Sequence, residues 1–296
     1  MSVQTQSKAD VRERMARMAV CAMQSWQDPA LLDRVTRDGA VAVWEHQQSA
    51  STRQVPSAED VEKWMAAADE VGARFVIPGD EEWPDSLAQL SDVTVGDIGG
   101  VPAGLWVMGR NLTDTGSDAV AVVGSRACTS YGEHTALTLS ADLAIAGCTV
   151  VAGMAYGIDA AAHRGALGVK GTTVAVVASG LDAPHPAANT ELSRRIEERG
   201  TLVSEFPPGF RPTRFSFLAR NRIIAALTLG TVVCEAAYRS SAVNTAAWAT
   251  ALGRPVMAVP GQITNSLSTA PNSMIRDGSA TLVTSADEIR DEILIS

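Results

Sequence analysis

From residue 58 to the C-terminus, short runs of Val, Ile, Leu and Ala that are apolar at nearly every position alternate with longer stretches of helical period. The candidate strands are residues 74–77, 105–108, 119–123, 149–152, 173–178, 202–205, 231–235, 256–259 and 281–283. Helical patterns fill most of the gaps, notably 131–146, 158–167, 187–199, 218–227 and 242–252. A strand apolar on both faces must be covered on both, and single helices between such strands supply the cover. The expected fold class is therefore α/β, a Rossmann-like, doubly wound, mostly parallel sheet.

Residues 8–48 read differently, as two helices with apolar positions at Val11, Met15, Met18 and Ala22 and then at Leu31, Leu32, Val35 and Val41. The polar stretch 49–57 (SASTRQVPS) reads as a linker. We therefore expect a small helical N-terminal domain over residues 1–56 and the α/β core over 57–296. No run of about 18 apolar residues is present, and residues 1–10 are polar, which predicts neither a membrane span nor export. Cys21, Cys128, Cys148 and Cys234 lie far apart in apolar surroundings with no CxxC pair, so all four read as buried thiols of a cytoplasmic protein.

In a doubly wound sheet, ligands bind beyond the carboxyl ends of the strands, where loops open onto helix N-termini whose free N–H groups favour anions. Two such loops stand out. After the run 119–123 come Gly124, Ser125 and Arg126, with Ser130 placed to cap the next helix. A glycine for close approach, a hydroxyl and a guanidinium make a phosphate cradle, although the same residues also suit a tight turn with a solvated arginine. After the run 149–152 come Gly153 and Gly157, four apart with small residues between, then Asp159 at a helix start and His163 one turn on. Asp159 reads as a helix cap within pairing reach of His163, and no nucleophile accompanies them. GxGxxG and Walker patterns are both absent, so neither a dinucleotide cofactor nor an ATP site is expected.

The strongest basic constellation is 210–224, where Arg211, Arg214, Arg220 and Arg222 interleave with Phe210, Phe215 and Phe217, and Glu205 is the nearest acid. Arginines neutralise backbone phosphates and exposed aromatics stack bases without reading sequence, which is what a single-strand binder needs. For Phe215 and Phe217 the expectation is nevertheless the core. The net charge of −9 repels nucleic acid, so any such site must be a local patch.

Taken together, the segments VVGSR (122–126), VAGMAYGIDAAAH (151–163), ARNRIIAAL (219–227), VVCEAA (232–237), GRPVMAVPG (253–261) and NSMIRDGSATLV (272–283) resemble the DprA/Smf family, DNA-processing protein A, in order and spacing. The resemblance runs from about residue 79 to 289. It implies a Rossmann-like core without enzymatic activity that binds single-stranded DNA with little sequence preference, forms a homodimer and delivers the RecA recombinase in natural transformation. By match, Gly124, Ser125 and Arg126 fall on the DNA-contacting loop, and Gly153, Gly157, Arg220, Asn221 and Arg222 line the same pocket. The N-terminal helices correspond to the family's sterile-alpha-motif-like domain.

Three features depart from the family pattern. Where relatives often carry a Lys after a Tyr-Pro pair, this chain reads Pro184, His185, Pro186, Ala187; Ser241 stands where a Gly is usual; and no winged-helix domain is expected after the core. Two other functions share this core: a phosphoribohydrolase, for which Glu235 lacks the accompanying glycine cluster, and a sensor of a small phosphorylated ligand.

Overall fold

In the computed structural model, which describes residues 8–50, 55–115, 118–183 and 185–295, the apolar runs form strands close to their expected positions. In chain order the strands are β1 (Arg74–Val76), β2 (Thr94–Val95), β3 (Ile98–Gly99), β4 (Leu105–Gly109), β5 (Ala119–Val123), β6 (Thr149–Ala152), β7 (Thr173–Val177), β8 (Thr201–Ser204), β9 (Gly230–Val233), β10 (Val256–Ala258) and β11 (Thr281–Leu282). The α-helices are α1 (Lys8–Ala22), α2 (Pro29–Asp38), α3 (Ala40–Ala50), α4 (Ala58–Glu70), α5 (Ser130–Ile145), α6 (Ile158–Gly168), α7 (Thr190–Arg199), α8 (Arg214–Ala226), α9 (Ser241–Ala251), α10 (Thr269–Arg276) and α11 (Ala286–Ile295).

The main sheet has the order β1-β4-β8-β7-β6-β5-β9-β10-β11. The run from β8 to β11 is parallel throughout. Only the edge pairs β4–β8 and β1–β4 are antiparallel. The chain therefore winds outward from β5 to β8, returns to the middle, and winds the other way through β9 to β11. The order reverses between β5 and β9, and that reversal opens a crevice at the carboxyl ends of the strands.

Alternation within the strands decides which helices cover which face. Ala119, Ala121 and Val123 of β5 pack with Ile223 and Ile224 of α8 and Trp248 of α9. Val120 and Val122 point the other way, onto Leu139 and Leu143 of α5, Ile158 of α6 and Ile289 of α11. Every residue of β5 to β9 is buried, which is why these runs carry no polar alternation.

The N-terminal helices differ from expectation in number. Residues 8–50 form three α-helices and a short 3-10 turn at Ser25–Gln27. Pro29 starts α2 with the Asp28 carboxylate accepting from Leu31 N at 3.1 Å, and Gly39, at φ +86°, separates α2 from α3. Their apolar faces join one cluster with α4 and the edge strands, in which Ala16, Val20, Leu32 and Val43, with Val61 of α4, pack with Phe75, Trp106 and Met108. Arg14 fastens α1 to β1, donating to Phe75 O at 3.1 Å and pairing with Asp80. Part of the polar stretch 49–57, residues 51–54, lies outside the described residues. Among the described residues no helix is long and apolar enough to cross a membrane.

Candidate functional site

The strand-order reversal holds a cleft of about 250 Å³. Val123 and Gly124 from the end of β5 form one wall, Ala155 and Asp159 from beyond β6 the floor, and Ser240, Ser241 and Thr245 at the start of α9 the opposite wall. Arg220 and Asn221 enter from α8, and Arg126 stands at the mouth. Arg126 is exposed, whereas Arg220 is 4% exposed. The Ser240 hydroxyl caps α9 by accepting from Ala242 N at 3.3 Å. Two arginines, one at the mouth and one buried behind it, against the single lining carboxylate of Asp159, together with the N-terminus of α9, give the cleft an excess of positive charge despite the acidic chain.

Buried carboxylates fix the two glycine loops. Glu235, at the end of β9, accepts from Thr129 N at 2.8 Å, Thr129 Oγ1 at 2.7 Å and Asn265 Nδ2 at 3.1 Å, so it organises the start of α5. Its carbonyl also accepts from Ser125 N at 2.6 Å. Thr129, not Ser130, caps α5, accepting from Gly132 N. Asp159 is buried at 6% exposure and turns back onto its own loop, accepting from Gly153 N at 3.2 Å and Ala155 N at 3.3 Å. It therefore does not cap α6, whose N-cap is Gly157. Burial pushes the Asp159 carboxyl above its ordinary range, opposed by the charges of Arg220 and Arg126. Burial likewise lowers Arg220 to about 10, against the pull of Asp159.

Two glycines make this arrangement possible. A Cβ at Gly153 would occupy the position of the Arg220 guanidinium, which donates to Val176 O. Gly157 has φ +72°, and a Cβ there would strike Ser125 O and Arg126 O, so only glycine lets the two loops meet.

The eight residues expected at the site separate into groups. Gly124, Arg126, Arg220 and Asn221 line the cleft, while Gly153 and Gly157 shape it from behind. Ser125 turns its hydroxyl onto Ala127 N at 3.3 Å and does not line the cleft. Arg222 corrects the expectation outright. It points to the opposite side of α8, is fully buried, and forms a two-pronged ion pair with Glu205 at 2.6 Å for both contacts, with Gly100 O accepting from Nε at 3.0 Å. Successive residues on a helix face different ways, so a run of RNR cannot deliver both arginines to one pocket.

Other readings also change. Phe215 is 57% exposed rather than core, whereas Phe217 is half-buried and packs against the core as expected, with the Arg126 guanidinium 4.3 Å from its ring centre. His163 pairs with Thr173 Oγ1 at 2.7 Å and not with Asp159. Cys128 is half-buried, whereas Cys21, Cys148 and Cys234 are buried. Ser241 fits without distortion as the first residue of α9, where Asn221 Nδ2 donates to its hydroxyl at 3.1 Å and its carbonyl at 3.2 Å. Sequence reasoning missed the wall formed by Ser240 and Thr245. The available signal was a Ser-Ser pair directly after a buried strand and loop, the composition of a helix start. Pro184, within the departure at 184–187, lies outside the described residues.

These features define a doubly wound α/β protein with an anion-receptive cleft at its switch point. The chain belongs to the family of DNA recombination-mediator protein A, whose family model matches residues 74–294. It is 47% identical over 262 residues to the DNA processing protein DprA of Mycobacterium tuberculosis (strain CDC 1551 / Oshkosh), covering 87% of this chain and 66% of that protein. It is 40% identical over 220 residues to protein Smf of Escherichia coli K12, covering 74% of this chain and 56% of that one. The chain thus spans less than two thirds of either curated relative. Among solved structures, DprA of Streptococcus pneumoniae superposes with a TM-score of 0.74 at 29% identity, covering 97% of this chain and 98% of that one. DprA of Helicobacter pylori, described in its single-stranded DNA binding mode, gives 0.64 at 27% identity, covering 75% and 96%.

Proposed function

We propose that this chain binds single-stranded DNA, with little preference for sequence, through the cleft between β5 and β9, and that it acts without catalysis as a recombination mediator. The observation that carries the reading is Arg126, an exposed guanidinium at the mouth of an electropositive cleft. A backbone phosphate there meets Arg126, the Arg220 charge and the N–H groups at the start of α9. Such a site reads the sugar-phosphate chain and offers no helix or ribbon to a major groove, so single strands are favoured over duplex. The relative from H. pylori, whose structure is described as a single-stranded DNA binding mode, supports the same ligand.

From the family we extend the proposal to a homodimer that hands its strand to the RecA recombinase in the cytoplasm. Within the chain we take residues 1–56 as a small helical domain attached to the core. A phosphoribohydrolase reading is disfavoured because the three hydrogen bonds to its carboxylate commit Glu235 to the start of α5. The test is a gel shift with single- and double-stranded oligonucleotides beside a nucleotide-hydrolysis assay. Single-strand binding without turnover is expected. Equal affinity for duplex, or turnover lost on substituting Glu235, would overturn the reading.

A further inference from the structure

A second hollow opens at the carboxyl end of the sheet, two strands along from β5 and so offset by about 10 Å. There the loop after β10 and the helix α10 enclose a groove of about 370 Å³. One wall is a face of α10, where Thr269, Asn272, Ser273 and Arg276 stand three or four residues apart and so line up along the groove. The other wall is the loop 262–266, in which Gln262 and Thr264 are exposed and Ile263 is 97% exposed. The floor includes Ser268, 1% exposed, whose hydroxyl has no hydrogen-bond partner among the described residues. A buried donor left open in a cavity costs stability until a ligand oxygen accepts from it.

Hydrogen bonds hold this groove in shape. Asn272 clamps the loop, its Nδ2 donating to Gly261 O at 2.9 Å and its Oδ1 accepting from Gly261 N at 3.0 Å. Ala236, on the loop that follows β9, ties it from the other side: its N–H donates to Leu267 O at 2.7 Å and its carbonyl accepts from Ala270 N at 3.1 Å. Asn265 reaches Glu235, the carboxylate that also sets the start of α5, so groove and cleft share one hydrogen-bonded frame. The lining has hydroxyls and amides, no carboxylate, and one cation. Arg276 donates from Nε to Asp277 at 3.1 Å and from Nη2 to Ser273 Oγ at 2.8 Å, while Nη1 has no partner among the described residues. Both members of the Arg276–Asp277 pair are more than half exposed. Such a pair holds its guanidinium weakly, which leaves it open to a phosphate.

We infer that this groove is a second backbone subsite, taking a phosphate at Arg276 and the adjoining sugar against its hydroxyl and amide walls, for the strand whose first phosphate lies at Arg126. This rests on the single-strand reading above and extends it from one contact to a path. The offset of about 10 Å between β5 and β10 is the reach of roughly three stacked nucleotides, so one short strand spans cleft and groove.

The test is fluorescence anisotropy with a long oligo-dT strand over a range of salt concentrations. Arg276→Ala should weaken binding about fivefold, the share of one exposed ion pair, and flatten the slope of log K against log salt by about 0.7. Combined with Arg126→Ala, the flattening should double to about 1.4, because the two arginines contact separate phosphates. Arg276→Lys, which keeps the charge, should retain the slope. Thr264→Asp, which sets a carboxylate in the groove and removes no cation, should weaken binding. Arg276 and Thr264 are exposed, so each single variant at these positions should melt with the unsubstituted chain. Unchanged affinity and slope in Arg276→Ala, beside a loss of both in Arg126→Ala, overturns the groove and leaves the cleft standing. Absence of single-strand binding by the unsubstituted chain overturns both.

Discussion

Arg222 is the sharpest stability test, because the sequence pattern places it in the binding pocket and the structure places it in the core. Its guanidinium and the Glu205 carboxylate are each 0% exposed and meet through two contacts of 2.6 Å, with further bonds from Arg222 to Gly100 O and Ala219 O at 3.0 Å. Arg222→Ala removes the counter-charge and leaves a carboxylate in the interior, which costs about 3–5 kcal/mol when one partner of a buried pair is deleted. At about 2 °C per kcal/mol for a chain of this size, Tm should fall by at least about 6 °C. Replacing both partners with apolar residues, as in Arg222→Met with Glu205→Leu, should recover much of the loss, since the desolvation cost goes with the charges. The assay is thermal denaturation of the three proteins, with single-strand affinity measured well below the transition. The affinity of Arg222→Ala should match the unsubstituted chain there. An unchanged Tm together with a loss of affinity would refute the reasoning and return Arg222 to the DNA site.

Gly157→Ala should lower Tm and weaken single-strand binding together, because the left-handed backbone costs about 1–2 kcal/mol and the new Cβ strikes the carbonyls of Ser125 and Arg126. Gly147→Ala, at φ +90° with nothing near its Cβ, should show the strain without the binding loss, and equal behaviour of the two would refute the contact. His163 is buried and burial lowers its pKa to about 3, so the unfolded chain takes up a proton near pH 6.5 that the folded chain refuses. The stability that His163 confers is therefore complete above pH 6.5 and drains away as pH falls toward 3, by roughly 2 kcal/mol at pH 5. Relative to His163→Gln, the unsubstituted protein should lose Tm between pH 7.5 and 5, and a pH-independent difference would contradict this.

The parallel strands were legible because burial on both faces strips polar residues from a strand, and 119–123 and 149–152 fall where expected to the residue. The two-residue strands β2 and β3 left no such signature, since a pair that short carries no periodicity. The helix count in residues 8–50 was missed because α2 and α3 were read as one helix carrying Leu31, Leu32, Val35 and Val41, although Gly39 marks the break between them. At the site, the sequence names residue types but not directions. Arg220 and Arg222 are alike in composition and differ only in the helix face they occupy, and Phe215 looked like core because apolarity was weighed without position. The hydrogen bonds of Asp159 and Glu235 to loops join positions that no local pattern relates.

The central claim, that Arg126 holds a backbone phosphate at the switch-point cleft, is tested most directly by a salt titration of single-strand binding with Arg126→Ala beside the unsubstituted chain. Arg126 is exposed and its visible packing contact is the Phe217 ring at 4.3 Å, so the substitution should cost no more than about 1 kcal/mol of stability. Affinity should fall alike for every sequence, and the slope of log K against log salt should flatten by about 0.7, the share of one phosphate contact on a single strand. Unchanged affinity with an unchanged slope would contradict the account.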